Sequence, residues 1–277
     1  MGKSIVFSGG GVKGIAYIGA LKAFEEAGIS FDRFAGTSIG SFFAALCAAG
    51  YKSDELRKIL NNTNLRCLGG TKKKNILSPV NSAISLIDNK GLYNIENFYS
   101  LVDELLKRKN ICTFKDLELK GKVLKIITAD ITSRQMIILP DDLYKYNVSV
   151  ENFSVALAVT MSSALPFYFM PVQFLGHYFV DGGIVDNFPL DIFSDSLGLL
   201  LVGKEPTSTK SLIQYVSALF DTLLKSGPNS HDVDKKNVIK INVSNVTATS
   251  FDIGNEKIEE LIEEGYNKTK EYIKKMR

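Results

Sequence analysis

The 277-residue chain has no tryptophan, two histidines and three cysteines, and no apolar run long enough to span a bilayer as a helix. Cys47, Cys67 and Cys112 are odd in number and lack metal-type spacing, and two histidines add too little to make a zinc set. A disulfide scaffold and a zinc site are therefore not expected, and a reducing, cytoplasmic setting is. A strong excess of one charge is missing too: 33 Lys and Arg stand against 30 Asp and Glu, a formal +3. That balance makes no case for nucleic acid as a partner, although a local basic patch can still meet an anionic surface. The amino-terminal stretch MGKSIVFSGGGVKGIAYIGAL is apolar, but glycines and Lys13 interrupt it and no small-residue cleavage pattern follows, so it does not read as a signal peptide. Met1-Gly2 lacks the Ser or Thr expected at position six for myristoylation, which is Val6. Internal repeats and low-complexity tracts are absent as well.

What is present is ordinary for a folded protein that buries a sizeable core: 45% hydrophobic and 23% charged residues. Short apolar runs alternate with longer periodic ones. SIVFSGG reads as a strand, Lys13 to Ala27 as a helix closed by Gly28, and FDRFAGTS as a strand entering a helix over Ile39 to Ala49. KVLKIITADI, HYFVDGG, LGLLLVG and NVIKINV read as further strands. VENFSVALAVTMSSA, SLIQYVSALFDTLLKS and EKIEELIEEGYNKTKEYIKKM read as helices. The alternation predicts an α/β protein with a mainly parallel sheet covered by helices on both faces, its sites at the carboxyl ends of strands. One seam, Lys204 to Lys210, is short and reads as a connector, so residues 1–277 are expected to form a single domain whose carboxyl-terminal portion, 205–277, packs on the rest.

Two glycine-rich turns stand out. Gly9, Gly10, Gly11 and Gly14 follow the first strand and open a helix, where free backbone N–H groups and the helix dipole favour negative charge. Gly9-x-Gly11-x-x-Gly14 also satisfies a dinucleotide-binding fingerprint, and Asp32 has roughly the spacing of a ribose-binding acid. Asp32, however, opens its strand, and the place where that acid belongs holds Gly36-Thr37-Ser38. The second turn, Gly36-Thr37-Ser38-Ile39-Gly40, places a serine between glycines at a strand-to-helix junction. That is the pattern of a nucleophile elbow, whose glycines relieve crowding around a strained serine. Chance yields the pattern roughly once in seven chains of this composition, so it decides little alone. Taken together, the first loop sits beside Ser38 and offers N–H donors to an oxyanion.

A serine nucleophile needs a base. His231 lies in a polar, turn-rich stretch, and His177 begins the HYFVD strand about 13 Å from its far end, so neither looks well placed. Asp181 ends that apolar strand, is followed by Gly182 and Gly183, and is expected at the same carboxyl edge as Ser38. A turn aspartate is the plainer reading of Asp-Gly.

The set Gly9-Gly10-Gly11-Val12-Lys13-Gly14, Gly36-Thr37-Ser38-Ile39-Gly40, SSALPFYFMPV from Ser162, and Asp181-Gly182-Gly183 followed by DNFP resembles, in that order, the patatin-like phospholipases. The resemblance runs from about Ser4 to Pro189, with KGLYNIENF and TADITSRQ as weaker matches. It implies a three-layer α/β/α fold and a Ser-Asp dyad without histidine: Ser38 as nucleophile, Asp181 as proton acceptor, and the Gly9–Gly14 loop with Lys13 as oxyanion hole. It also implies a lipid or phospholipid substrate and no metal or organic cofactor. Three other readings stay open: a dinucleotide-binding protein, a related transacylase that uses histidine, and a lipid-binding module with a vestigial site.

Three stretches remain. Lys72, Lys73 and Lys74 precede an apolar, Ser-rich segment that either lies on an anionic membrane or forms a solvated corner. Phe167, Tyr168, Phe169 and Met170 line an acyl pocket or simply fill core. The last helix, acidic at its start and basic at its end, complements the helix dipole and reads as structural.

Overall fold

A computed structural model describes residues 3–65, 71–72, 90–203, 218, 222, 237–244 and 246–276. His231, Cys67, Lys73, Lys74, the 204–210 seam and nearly all of the helix expected over 211–226 lie outside the described residues.

The strands are β1 (Ser4–Phe7), β2 (Arg33–Thr37), β3 (Thr71–Lys72), β4 (Gly91–Asn94), β5 (Val123–Asp130), β6 (Gln135–Leu139), β7 (Phe167–Phe169), β8 (Val172–Phe174), β9 (His177–Asp181), β10 (Ser196–Val202) and β11 (Val238–Asn242). The main sheet runs β11-β10-β1-β2-β5-β9-β8, with β6 also on β5, and a small sheet joins β3, β4 and β7. Strands β11, β10, β1, β2 and β5 are parallel, as expected. β6 and β9 run the other way, and β8, antiparallel to β9, runs with the parallel set. Alternation of apolar residues is blind to strand direction, so the antiparallel course of β9 was not legible in HYFVDGG.

The register around β5 positions the site. β2 covers residues 123–127 of β5, ending with Thr37 opposite Ile127. β6 pairs with residues 126–130 and so occupies the other edge. β9 pairs with Asp130, Ala129 and Thr128, ending with Asp181 opposite Thr128. β2 and β9 therefore approach head to head along one edge of β5, and their carboxyl ends meet at Ile127 and Thr128.

The helices are α1 (Ala16–Glu26), entered through a 3-10 turn over Gly11–Ile15, α2 (Ile39–Ala48), α3 (Ser53–Asn62), α4 (Glu96–Arg108), α5 (Phe114–Leu119), α6 (Val155–Ser163) and α7 (Asn255–Met276). The helix expected over 150–164 is broken into a 3-10 turn (Val150–Asn152) and α6, because Ser154 caps α6 by accepting the Leu157 N–H at 3.2 Å. On one sheet face Ile5, Phe7, Phe34 and Leu199 join the main core with α1, α2 and α6. On the other, Val6, Ala35 and Leu200 pack against Phe188 and Leu190. Among the described residues that second face is covered by the 186–193 segment rather than by a long helix. α7 lies against α1 so closely that a Cβ on Gly19 would overlap the Ile262 carbonyl oxygen and one on Gly265 the Ala16 carbonyl oxygen.

Candidate active site

The turn after β2 is built by close backbone approach. A Cβ on Gly36 would overlap the backbone of Gly40, and one on Gly40 would overlap the Phe7 carbonyl oxygen, so the start of α2 presses directly onto β1 and β2. Between these glycines Ser38 takes φ 55°, a backbone conformation that non-glycine residues seldom adopt. Three bonds hold the turn. The Ser38 N–H donates to Ser162 Oγ at 2.9 Å, Ser162 donates to the Ile127 carbonyl at 2.6 Å, and Thr37 Oγ1 donates to the Asp186 carbonyl at 2.8 Å. Ser162 thus satisfies the Ile127 carbonyl at the junction of β2 and β9 and fixes the Ser38 amide. Its place in the sequence, one serine among many, carried no such signal.

Asp181 is 1% exposed. Its N–H donates to the Ala164 carbonyl at 2.9 Å, and its Oδ1 accepts the Gly183 N–H at 2.7 Å. Gly182 is required because a Cβ there would overlap the Ile127 carbonyl oxygen. Ser38 and Asp181 border the same cavity, near enough for the Ser38 side chain to draw the Asp181 carboxyl down. Burial pushes the Asp181 carboxyl up to about 7, against the opposite pull of the nearby Ser38 side chain and of the Gly183 N–H.

The first glycine loop divides its amides. The Gly9 N–H donates to the Asn187 carbonyl and the Val12 N–H to the Ala248 carbonyl, both at 3.0 Å. Between them, the Gly10 and Gly11 N–H groups have no acceptor among the described residues, and both residues border a cavity with Ser38 and Asp181. Gly9, Lys13 and Gly14 do not border it. Gly14 instead spaces the loop from α2, since a Cβ there would stand 2.7 Å from Ile39 Cγ1.

The cavity, about 140 Å³, runs from Ser38 between α1, α2, α3 and α4, and its walls are overwhelmingly apolar: Ile18, Phe42, Ile59, Phe98, Leu101 and Phe169 are representative. Tyr168 and Phe169 border it, whereas Phe167 is exposed and Met170 is half-buried away from it. The contributions of α3 and α4 were not anticipated; an amphipathic pattern reveals a buried face but not its partner.

His177 lies at the opposite end of β9, outside the cavity. Its Nδ1 is 2.7 Å from Oδ2 of the buried Asp130, which also accepts from Ser133 Oγ at 2.7 Å and Tyr146 Oη at 2.9 Å. Burial alone would raise the Asp130 carboxyl, but these hydrogen bonds outweigh it and hold it below the ordinary range. Asp32 stands at the amino end of β2, where it pairs with Lys122 at 2.5 Å. The dinucleotide reading, which needs that acid beside the glycine loop, is not met.

The family model for patatin-like phospholipase matches residues 5–194. The chain belongs to the patatin-like phospholipase family. Among its patatin-like relatives, human patatin-like phospholipase domain-containing protein 6 is 31% identical over 68% of this chain, which corresponds to 12% of that protein's length. The uncharacterized protein YqhO of Bacillus subtilis is 35% identical over 97% of both chains. The probable lipid hydrolase 463L of invertebrate iridescent virus 6 is 24% identical over 87% of this chain and 78% of its own. Two solved structures share the patatin-like fold. VipD from Legionella pneumophila has a TM-score of 0.62 at 19% identity, covering 99% of this chain and 67% of that one. ExoU from the type III secretion system of Pseudomonas aeruginosa has a TM-score of 0.56 at 19% identity, with 99% of this chain aligned to 52% of its own. No helix among the described residues is long and apolar enough to cross a membrane.

Proposed function

We propose that the protein is a serine acyl hydrolase that cleaves fatty-acyl esters of phospholipids or related lipids through a Ser38–Asp181 dyad. The observation that carries this reading is the register that brings a serine held at positive φ to the same cavity as a buried aspartate whose carboxyl is raised to about 7. An aspartate of ordinary basicity is a poor acceptor for a serine proton; one raised this far is matched to the task.

Ser38 Oγ attacks the ester carbonyl as its proton passes to Asp181, and the oxygen of the tetrahedral intermediate receives the Gly10 and Gly11 N–H groups. Collapse expels the alcohol, which takes the proton from Asp181 and leaves an acyl-Ser38 ester. Water then adds to that ester, giving a proton to Asp181, and the fatty acid leaves as Ser38 Oγ recovers the proton. The apolar cavity receives the acyl chain, and desolvation of its walls supplies binding. No step calls on a cofactor. Substrate in a bilayer is met by peripheral contact, to which the lysines at 72–74 contribute attraction for anionic lipid.

The test is a panel of phospholipids, lysophospholipids, triacylglycerols and short acyl esters incubated with wild type and Ser38→Ala, with released fatty acid measured. Release by wild type alone is expected. Equal release by both proteins ends the assignment of Ser38, and transfer of the acyl group to added alcohol with no free acid identifies a transacylase instead.

A further inference from the structure

Asn187 is a polar side chain bordering this cavity that the proposed mechanism leaves unused, as are Ser163 and Thr249. It lies in the turn that follows Asp181, held there by one main-chain bond, its carbonyl accepting the Gly9 N–H at 3.0 Å, and flanked by a second bond in which the neighbouring Phe188 N–H donates to the Asp186 side-chain Oδ1 at 3.0 Å. A Cβ placed on Gly9 would overlap Asn187 Oδ1 and stand 3.2 Å from Ser38 Cβ, so the amide sits beside the nucleophile. Oδ1 is buried without a donor, turned into the wall at Gly9. Nδ2 is not among the buried, unpartnered atoms, the side chain makes no hydrogen bond among the described residues, and Asn187 borders the cavity. The acceptor is thus spent against the wall and the two N–H donors are left for the cavity.

An orphaned buried acceptor costs stability, about 1–3 kcal/mol in general. A leucine has the same branching and no such cost, so folding alone does not account for asparagine here. A donor beside Ser38, on the side of the Gly9–Gly11 loop, has an obvious charge to meet. We infer that Asn187 Nδ2 is a third donor to the oxyanion, completing a hole of which the Gly10 and Gly11 amides form the main-chain part. Side-chain amides serve this purpose on unrelated folds, and their loss is felt in turnover rather than in substrate binding, because the charge they meet develops only in the transition state. The inference rests on the Ser38 reading above.

The experiment uses the full chain with Asn187→Leu and Asn187→Asp, a soluble short-chain ester, and a trifluoromethyl ketone of the same chain length, which forms a tetrahedral adduct with a serine. Expected are a fall in kcat of about 100- to 1000-fold in both variants, KM nearly unchanged, and ketone affinity reduced by a similar factor. The leucine variant should melt at or above the wild-type temperature. Wild-type kcat in either variant overturns the inference, as does a lower kcat with undiminished ketone affinity, and so does a drop in melting temperature that accounts for the loss in both. If wild type hydrolyses the ester and forms the adduct while the variants match it, only Asn187 is misassigned. If wild type does neither, the Ser38 reading falls and takes this one with it.

Discussion

Thr37 and Asp181 are consecutive neighbours along one edge of β5, opposite Ile127 and Thr128, although they end strands that run in opposite directions. Ser38, the proposed nucleophile, follows immediately after the first of these residues and shares its cavity with the second. The proposed dyad is thereby placed by the register of three strands rather than by the reach of loops, which suits a site that needs fixed geometry.

That placement fixes a pH dependence. Asp181 must be ionised to accept a proton, so activity on a soluble ester is expected to rise as pH increases through about 7. Stability moves the other way. Because the folded-state carboxyl titrates near 7 and an unfolded one near 3.8, the native protein holds the extra proton in between, and stability falls across that window as pH rises. At about 1.4 kcal/mol per unit the decline amounts to a few kcal/mol. Asp181→Asn should abolish acyl-enzyme formation and remove the decline, melting higher than wild type at pH 8 but not at pH 4. A pH-activity profile flat between 5 and 8 in wild type would contradict this.

His177 belongs to a different assembly. His177→Gln should keep ester hydrolysis within a few-fold of wild type, since the side chain is tied to Asp130 and lies outside the cavity. Tyr146→Phe, which takes one donor from the same buried carboxylate, should lower stability by roughly 1–3 kcal/mol with turnover again preserved. Denaturant titration together with a steady-state assay separates the two effects; loss of activity by a hundredfold in a folded His177 variant would make histidine the base.

The adjacent glycines of the first loop are predicted to respond differently. A Cβ on Gly10 meets only the end of the Leu201 side chain, at 2.7 Å, so Gly10→Ala should fold and show a lower kcat through a crowded hole. Gly11 has φ 58°, and its Cβ would strike the Ala248 backbone, so Gly11→Ala should lose stability as well as rate. Thermal melts paired with turnover numbers read both; identical melts would show that the Ala248 contact yields at no cost.

The α1–α7 contact offers a test far from the chemistry. Gly265→Ala places a methyl where the Ala16 carbonyl oxygen lies, forcing the helices apart, and should cost about 1–3 kcal/mol. Calorimetry of the variant measures it, and an unchanged melting temperature would mean that α7 is free to slide.

Some of this was legible because backbone crowding leaves its mark in residue type. Gly36, Gly40, Gly182 and the loop glycines are needed where chains nearly touch, and such needs appear as glycine whatever surrounds them. Asp181 was legible as the end of an apolar strand, but the route by which it reaches Ser38 was not, because side-chain alternation is the same in either direction. The cluster around Asp130 joins residues up to 47 positions apart, and no local pattern marks it. The same holds for Asn187, whose meaning depends on a glycine far earlier in the chain.

The β8–β9 hairpin is supported at two places, at Asp181 and, next to its tip, at His177 on the buried Asp130. Its root is clamped at Asp181 by Thr128, Ala164 and Gly183, while its tip at Leu175-Gly176 carries an exposed leucine and a glycine with open space around it. Four residues of strand, about 13 Å, separate these two supports. A fluorophore, an affinity tag or a short insertion attached at that tip is insulated from the far end of β9 by both supports, so it reports on the molecule without bending the Asp181 carboxylate away from Ser38.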